Sequence, residues 1–270
     1  MQRTNSSQPG RALMMAVIGL VYAAATQPGD AGAQVACGDV VEGSVTLTGD
    51  LGPCDGIPAA LVLDGGRLDL GGFTVSCATG SETEGIVLIG KKARLSNGAV
   101  SGCECGVLLA GSGRHRVTGV TVVDAGDDAF FAQGDSDKNR LNANTATGAN
   151  DDGFQINSSK NKLVGNTAQG CGEDGFDINS SADKNKITGS TAVGNLDDGF
   201  DIGGDKNKLK GNVATANGED GIDARGSKNR IIRNTSTGHV GGFDIKGGEP
   251  CKSNRYKKNT FDTRLGDCIK

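Results

Sequence analysis

The chain has no tryptophan, two tyrosines and eight phenylalanines in 270 residues. So few rings exclude a globular core built on large side chains, while a hydrophobic fraction of 36% is too high for a disordered chain. Histidine is almost missing too. His115 and His239 stand far apart in the chain, which leaves no support for a histidine metal centre or a Ser-His triad. No helical pattern of about ten residues recurs, so leucine-rich and ankyrin architectures are excluded. The single long apolar run, Ala12 to Ala25, has 14 residues and is too short for a comfortable membrane span. With a formal charge of -4 and almost no aromatics for base stacking, nucleic acid is a disfavoured partner.

What is abundant is glycine, 45 residues of it, together with asparagine and aspartate. This composition predicts a repetitive fold with a thin core of small and branched residues. Arg3 and Arg11 precede the apolar run, and Ala31-Gly32-Ala33 follows it as an A-x-A cleavage site. Residues 1–33 therefore read as a signal peptide, with cleavage after Ala25 as the second option, and the mature chain is expected to be secreted or periplasmic. All eight cysteines fall in the mature part, which suits an oxidising compartment. Cys37 with Cys54, and Cys251 with Cys268, read as staples of the two ends, and Cys77 is expected to pair with Cys103 or Cys105. Cys171 lies three repeats further on, about 14 Å away at ~4.8 Å per repeat, beyond the reach of a disulfide. It is expected to be a buried free thiol.

The repeat is explicit. "DDGFQIN" at Gly153, "EDGFDIN" at Gly175, "DDGFDIG" at Gly199, "EDGIDAR" at Gly221 and "GGFDIKG" at Gly242 are spaced by 22, 24, 22 and 21 residues, and "DDAFFAQ" at Ala129 extends the series backward. Asn139, Asn161, Asn185, Asn207, Asn229 and Asn254 recur in step, and a further column holds Asn144, Asn166, Asn212, Asn234 and Asn259, with Ser190 as its exception. Stacked Asn side chains hydrogen-bond from coil to coil, and Gly and Asn tolerate the left-handed backbone of tight corners. Between corners, segments such as "GFDI" and "NKLV" alternate polar and apolar residues, the signature of strands with one exposed face. The predicted fold is all-β: a right-handed parallel β-helix of about nine coils with disulfide-stapled ends. Residues 34–60 read as an N-terminal cap and 61–270 as the solenoid with a C-terminal cap, in a monomer.

The "N-x-x-x-x-N... DGF" cadence from Asn139 to Asn259 resembles the parallel β-helix repeat of secreted polysaccharide-active enzymes, and "CGDVVEGSVTLTGDLGPC" resembles the N-terminal cap of such proteins. The resemblance implies this fold and an extracellular acidic polysaccharide as partner. Asp197, Asp198 and Asp201 further resemble the "DDGFD" calcium motif of the pectate lyases of polysaccharide lyase family nine, which implies calcium as cofactor, with Glu173, Asp174 and Asp177 as ligands from the preceding coil. In those lyases calcium bridges enzyme and uronate and a lysine removes a proton. The matching column here holds Asp223 and Asp244, so the candidate catalytic bases are Arg225 and Lys246, two positions along. Lys246 is the better of the two, because an ammonium loses a proton more readily than a guanidinium. It is expected about 10 Å from Asp201, two coils away.

Asp-Gly before a strand is also ordinary turn chemistry, so the repeat alone accounts for these aspartates. Without catalysis, the chain reads as a cell-surface or periplasmic binding or scaffolding module. Lys138, Lys160, Lys184, Lys206 and Lys228 precede the Asn column, and Arg140, Lys162, Lys186, Lys208 and Arg230 follow it. They read as a solvated face that discourages sheet association, with attraction of sulfated or uronic glycans as the alternative.

Overall fold

The computed structural model describes residues 35–247, 253–266 and 269. The expected signal peptide and the Cys251 and Cys268 staple lie outside these residues. The described residues form a parallel β-solenoid in which each strand pairs with its copy one coil away. One face is an 11-stranded parallel sheet that runs through Ala59–Asp64, Phe130–Ala132, Phe154–Ile156, Phe176–Ile178, Phe200–Ile202 and Ile222–Ala224 to Ile245–Gly247 and Arg264–Leu265. The chain thus makes about ten turns, one more than the repeat count suggests, because Asp39–Val41 already pairs with Ala59–Asp64. The other faces carry two strands per coil, such as Lys162–Val164 and Thr167–Gln169. In earlier coils these fuse into single longer strands, Arg94–Ser101 and Arg116–Val123.

Inward positions explain how so thin a core holds together. Phe130, Phe154, Phe176 and Phe200 are fully buried and stack with ring centroids 4.6, 4.7 and 4.8 Å apart. The strand spacing is also the stacking distance, so the ladder dictates the ring stack. Opposite them stand the small side chains Ala146, Ala168, Ala192 and Ala214, and a third column holds Leu141, Leu163, Ile187, Leu209 and Ile231. Each of these four coils brings one ring and one methyl to the core, while Val107 and Ile222 take the ring position in the coils on either side.

The corners follow one rule, which differs from the sequence expectation. The left-handed residue is the one before each Asn, and in the first column it is a lysine: Lys138, Lys160, Lys184, Lys206 and Lys228 have φ between 57° and 65°. The Asn that follows turns inward, and its Oδ1 accepts the backbone N–H of the Asn one coil earlier, at 2.7 Å for Asn139 to Asn161 and 2.8 Å for Asn161 to Asn185. Its Nδ2 donates to carbonyl oxygens such as that of Ser158. A fully satisfied buried amide stabilises each corner enough to hold a side chain at positive φ, where glycine would be the easier residue. His115 takes the same place in an earlier coil, its N–H donating to Asn139.

Two disulfides staple the N-terminal coils, Cys37–Cys54 and Cys77–Cys103, with Cα atoms 5.6 and 4.8 Å apart. Cys103 rather than Cys105 is the partner of Cys77 because Cys105 faces away from the main core, in a cluster with Phe131 and Leu108, and donates its N–H to the Glu84 carboxylate. Cys171 is buried and forms no disulfide, and burial pushes its thiol up to about 11.

Candidate functional site: a wall of carboxylates

The outward column of the 11-stranded sheet begins apolar, with Val62, Val87, Leu108 and Phe131, and turns acidic after Gln155. From there the register runs Asp177, Asp201, Asp223. Two more acidic columns flank it. The first residue of each "D/E-D-G" stacks as Asp127, Asp151, Glu173, Asp197 and Glu219, joined by backbone hydrogen bonds of 2.9 to 3.2 Å. The second residue forms a ladder. Oδ1 of Asp128, Asp152, Asp174 and Asp198 accepts the N–H of the next Asp at 3.3, 2.9, 2.8 and 2.7 Å, and Oδ1 of Asp220 accepts that of Phe243 at 2.6 Å. Like the Asn columns, the ladder links side-chain Oδ1 to backbone N–H from coil to coil, but in the opposite direction and with a charged group. It gives each backbone donor a partner and leaves carboxylates stacked at the strand spacing. The glycine that follows is required by close approach: a Cβ at Gly175 would stand 2.8 Å from the Ala192 methyl and 2.8 Å from the Gly199 carbonyl oxygen.

Burial and mutual repulsion raise the proton affinity of this wall. Asp152 and Asp174 are held well above the usual carboxylate range, first by burial and then by the neighbouring ladder carboxylates. Burial pushes Asp198 up to about 7, with the N–H bond from Asp220 working against it. Asp177 rises to about 6 for the same reason, opposed by the positive charge of Arg225. In each case burial is the first cause of the shift, ahead of any neighbouring charge.

Of the six residues predicted to hold a metal, five converge. Ligand oxygens of Asp174, Asp177 and Asp201, and of Asp174, Asp197 and Asp198, lie within 4.8 Å of one another. Glu173 joins no such group and its side chain is exposed. Two further groups extend the wall: Asp198, Asp201 and Asp223 toward the C-terminus, and Asp127, Asp128 and Asp151 toward the N-terminus. The signal for the last was the "DDAFFAQ" segment, whose Ala129 obscured the match to the motif. An all-carboxylate oxygen set on adjacent coils is the donor chemistry that calcium takes, so the residues present fit the ion that the resemblance implies.

The basic residues stand elsewhere than expected. Asp244 does not continue the acidic column; the last coil slips by two residues, and Lys246 pairs in register with Asp223. The cause is the side chain of Asp244. It turns away to accept the N–H groups of Asp262 and Thr263 at 2.8 and 2.7 Å, which places Phe243 against the ladder and Ile245 in the core column. Lys246 Nζ therefore bonds Asp220 at 2.8 Å and Asp223 at 3.0 Å. Although burial alone lowers it, these bonds raise its proton affinity overall. Arg225 pairs with Asp201 through Nε at 2.9 Å and through its terminal NH2 group, and stands 3.8 Å from Asp223. Both cations stand toward the C-terminal end of the wall, and the charge of Arg225 reaches back to Asp177.

The family of proteins described as "Right handed beta helix region" matches residues 63–202. No curated protein matches the sequence. Among solved structures, the A-module of the mannuronan C-5 epimerase AlgE6 of Azotobacter vinelandii is similar over 84% of this chain and 76% of that one, at 12% identity and a TM-score of 0.57. The Dettilon tailspike protein matches over 85% of this chain at 12% identity and a TM-score of 0.59, and this chain spans 60% of its length. An alginate lyase from a Paenibacillus strain matches over 84% of this chain and 96% of its own, at 12% identity and a TM-score of 0.53.

Proposed function

The chain belongs to the right-handed β-helix family, and from that premise we propose that it is an exported protein that binds an acidic polysaccharide at its carboxylate wall through a divalent cation. The observation that carries this reading is the convergence of Asp174, Asp177, Asp197, Asp198 and Asp201 on adjacent coils, with Arg225 bonded to Asp201 on the C-terminal side of the group. Two structural neighbours, a mannuronan C-5 epimerase and an alginate lyase by name, support a uronate polymer as the ligand class. Calcium, when bound, supplies a positive bridge between the wall and the polymer carboxylates.

The chain's own residues do the rest. The ladder hydrogen bonds fix Asp174 and Asp198 by one oxygen each, so the site is oriented before any ion arrives. Arg225 pairs with Asp201, and Lys246 with Asp220 and Asp223, so these two cations stand on the C-terminal side of the group. Removal of a sugar proton would need a neutral amine, whereas two carboxylates hold Lys246 in its charged form. The arrangement therefore favours binding over lyase or epimerase chemistry.

Calcium titration by calorimetry, beside an Asp174→Asn, Asp197→Asn variant, tests the proposal. Micromolar binding that the variant loses, with calcium-dependent retention of polygalacturonate or alginate, is the expected result. Absence of calcium binding refutes the site. Unsaturated sugar products that disappear in Lys246→Met would refute the assignment of binding alone.

A further inference from the structure

A second charged surface of the solenoid is cationic. The strand column that begins at Arg67 continues in unbroken register through Arg94, Arg116, Arg140, Lys162, Lys186, Lys208, Arg230 and Arg255. These residues lie on a different face of the solenoid from the carboxylate wall. Two positions earlier in each coil stand Lys92, Arg114, Lys138 and Lys160, all at left-handed φ. The residue between the two columns, Ala93, His115 or an Asn, is buried, so both flanking cations are forced outward.

Along this double column one segment differs from the rest. Lys92, Arg94, Arg114, Arg116, Lys138 and Arg140 line a groove of about 320 Å³ across three coils, and no carboxylate lines it. Further along, the column passes to Lys162, Lys186 and Lys208 before it returns to Arg230 and Arg255, and Lys160 bonds Asp137, which precedes Lys138 of the groove, at 3.2 Å. The groove's crowding is self-generated: Arg94 is shifted below the usual guanidinium range, first by Arg67, then by burial, then by Arg116. Guanidinium forks match carboxylate and sulfate bidentately, which a row of ammonium groups does not.

We propose that this groove is a direct, metal-independent binding site for a linear anionic polysaccharide, with Arg94, Arg116 and Arg140 engaging anionic groups on successive sugars. The strand spacing sets the cations ~4.8 Å apart, so an extended polymer with a charge on each sugar meets one arginine per coil. Carboxylated and sulfated glycans share this chemistry. Single-stranded nucleic acid is disfavoured because the groove lining offers no aromatic ring for a base to stack on. The inference rests on the basic column and holds whether or not the carboxylate wall takes calcium.

The test uses the mature protein in EDTA, so that calcium bridging is silent, with heparin and polygalacturonate as probes and dextran as a neutral control. We expect binding to at least one anionic probe and none to dextran, falling ~10-fold or more between about 50 and about 200 mM salt, as counterion release requires. The variant Arg94→Gln, Arg116→Gln, Arg140→Gln should lose ~10-fold or more of this affinity with an unchanged circular dichroism spectrum. Lys186→Gln, Lys208→Gln should lose clearly less. The sulfated and carboxylated arms separate the two sources of the ligand chemistry. Wild-type protein that binds neither probe at low salt overturns the proposal, as does an arginine variant that binds normally. Tighter binding of oligothymidylate than of either glycan overturns the choice of polymer.

Discussion

Replacing Asp198 by Asn puts a neutral amide into the carboxylate ladder, and the structure fixes the direction of the effect. Asn keeps the Oδ1 that accepts the Asp220 N–H at 2.7 Å and disturbs neither packing nor the N–H bond to Asp174 at 2.8 Å. It removes one charge from a stack of buried like charges. A neighbouring carboxylate ~4.8 Å away repels by about 1 kcal/mol at the dielectric of water and by about 3 kcal/mol at an effective value of 20. Without calcium at about pH 8, the variant should therefore be more stable than the wild type by ~1–3 kcal/mol, or several degrees in Tm. The pH dependence follows from the shift of Asp198 to about 7. A carboxyl raised in the folded state takes up a proton on folding between the unfolded value near 4 and 7, so wild-type stability falls as pH rises through that window. At about pH 5 the difference between the two proteins should shrink below ~1 kcal/mol. Calcium reverses the order, since an ion at about 100 times its Kd adds ~2.7 kcal/mol to the protein that binds it. Thermal unfolding in EDTA and in calcium at the two pH values is the assay. An Asn variant less stable than wild type at about pH 8 in EDTA, or a gain as large at about pH 5, would refute the claim that the wall carries excess charge.

Three further outcomes can be checked by the same unfolding measurement. Phe176→Ala removes the ring stacked between Phe154 and Phe200 and should cost ~3–5 kcal/mol. Asn185→Ala leaves the Asn161 N–H without its buried acceptor and should cost ~1–3 kcal/mol; a neutral result would mean that the corners hold without the ladder. Lys246→Met takes the cation from Asp220 and Asp223, and should cost ~1–3 kcal/mol after allowance for its partial exposure, less at high salt. A salt-independent loss there would assign Lys246 a packing role instead.

The solenoid was legible in the sequence because every coil states it again. The Asn columns and the "DGF" motif mark corners and strands at one period, and the observed register follows them from Phe130 to Ala224. What failed was local. "GGFDIKG" copies the motif in letters, but its register depends on where the Asp244 carboxylate finds donors, and Asp262 and Thr263 lie in a later segment that no repeat announces. Left-handed lysines were equally hidden, since the local preference for Gly or Asn is overridden by the buried amide that follows. At the site, the spacing identified Asp174, Asp177, Asp197, Asp198 and Asp201 as neighbours. The pairing of Arg225 and Lys246 with them depends on the slipped coil and on side-chain reach.

That two-residue slip also sets a limit on growth. A solenoid of equivalent coils lengthens by duplication at any internal boundary, and each copy inserted before Ile222 would add one step to both charged surfaces. Beyond Asp223 the column receives an ammonium in place of a carboxylate, and the last Asp is diverted to tie down the chain that follows. The slip thus acts as a terminator: the acidic face has one open end, toward Asp127, and the dimension of any ligand it spans is set by the number of coils between that end and Lys246.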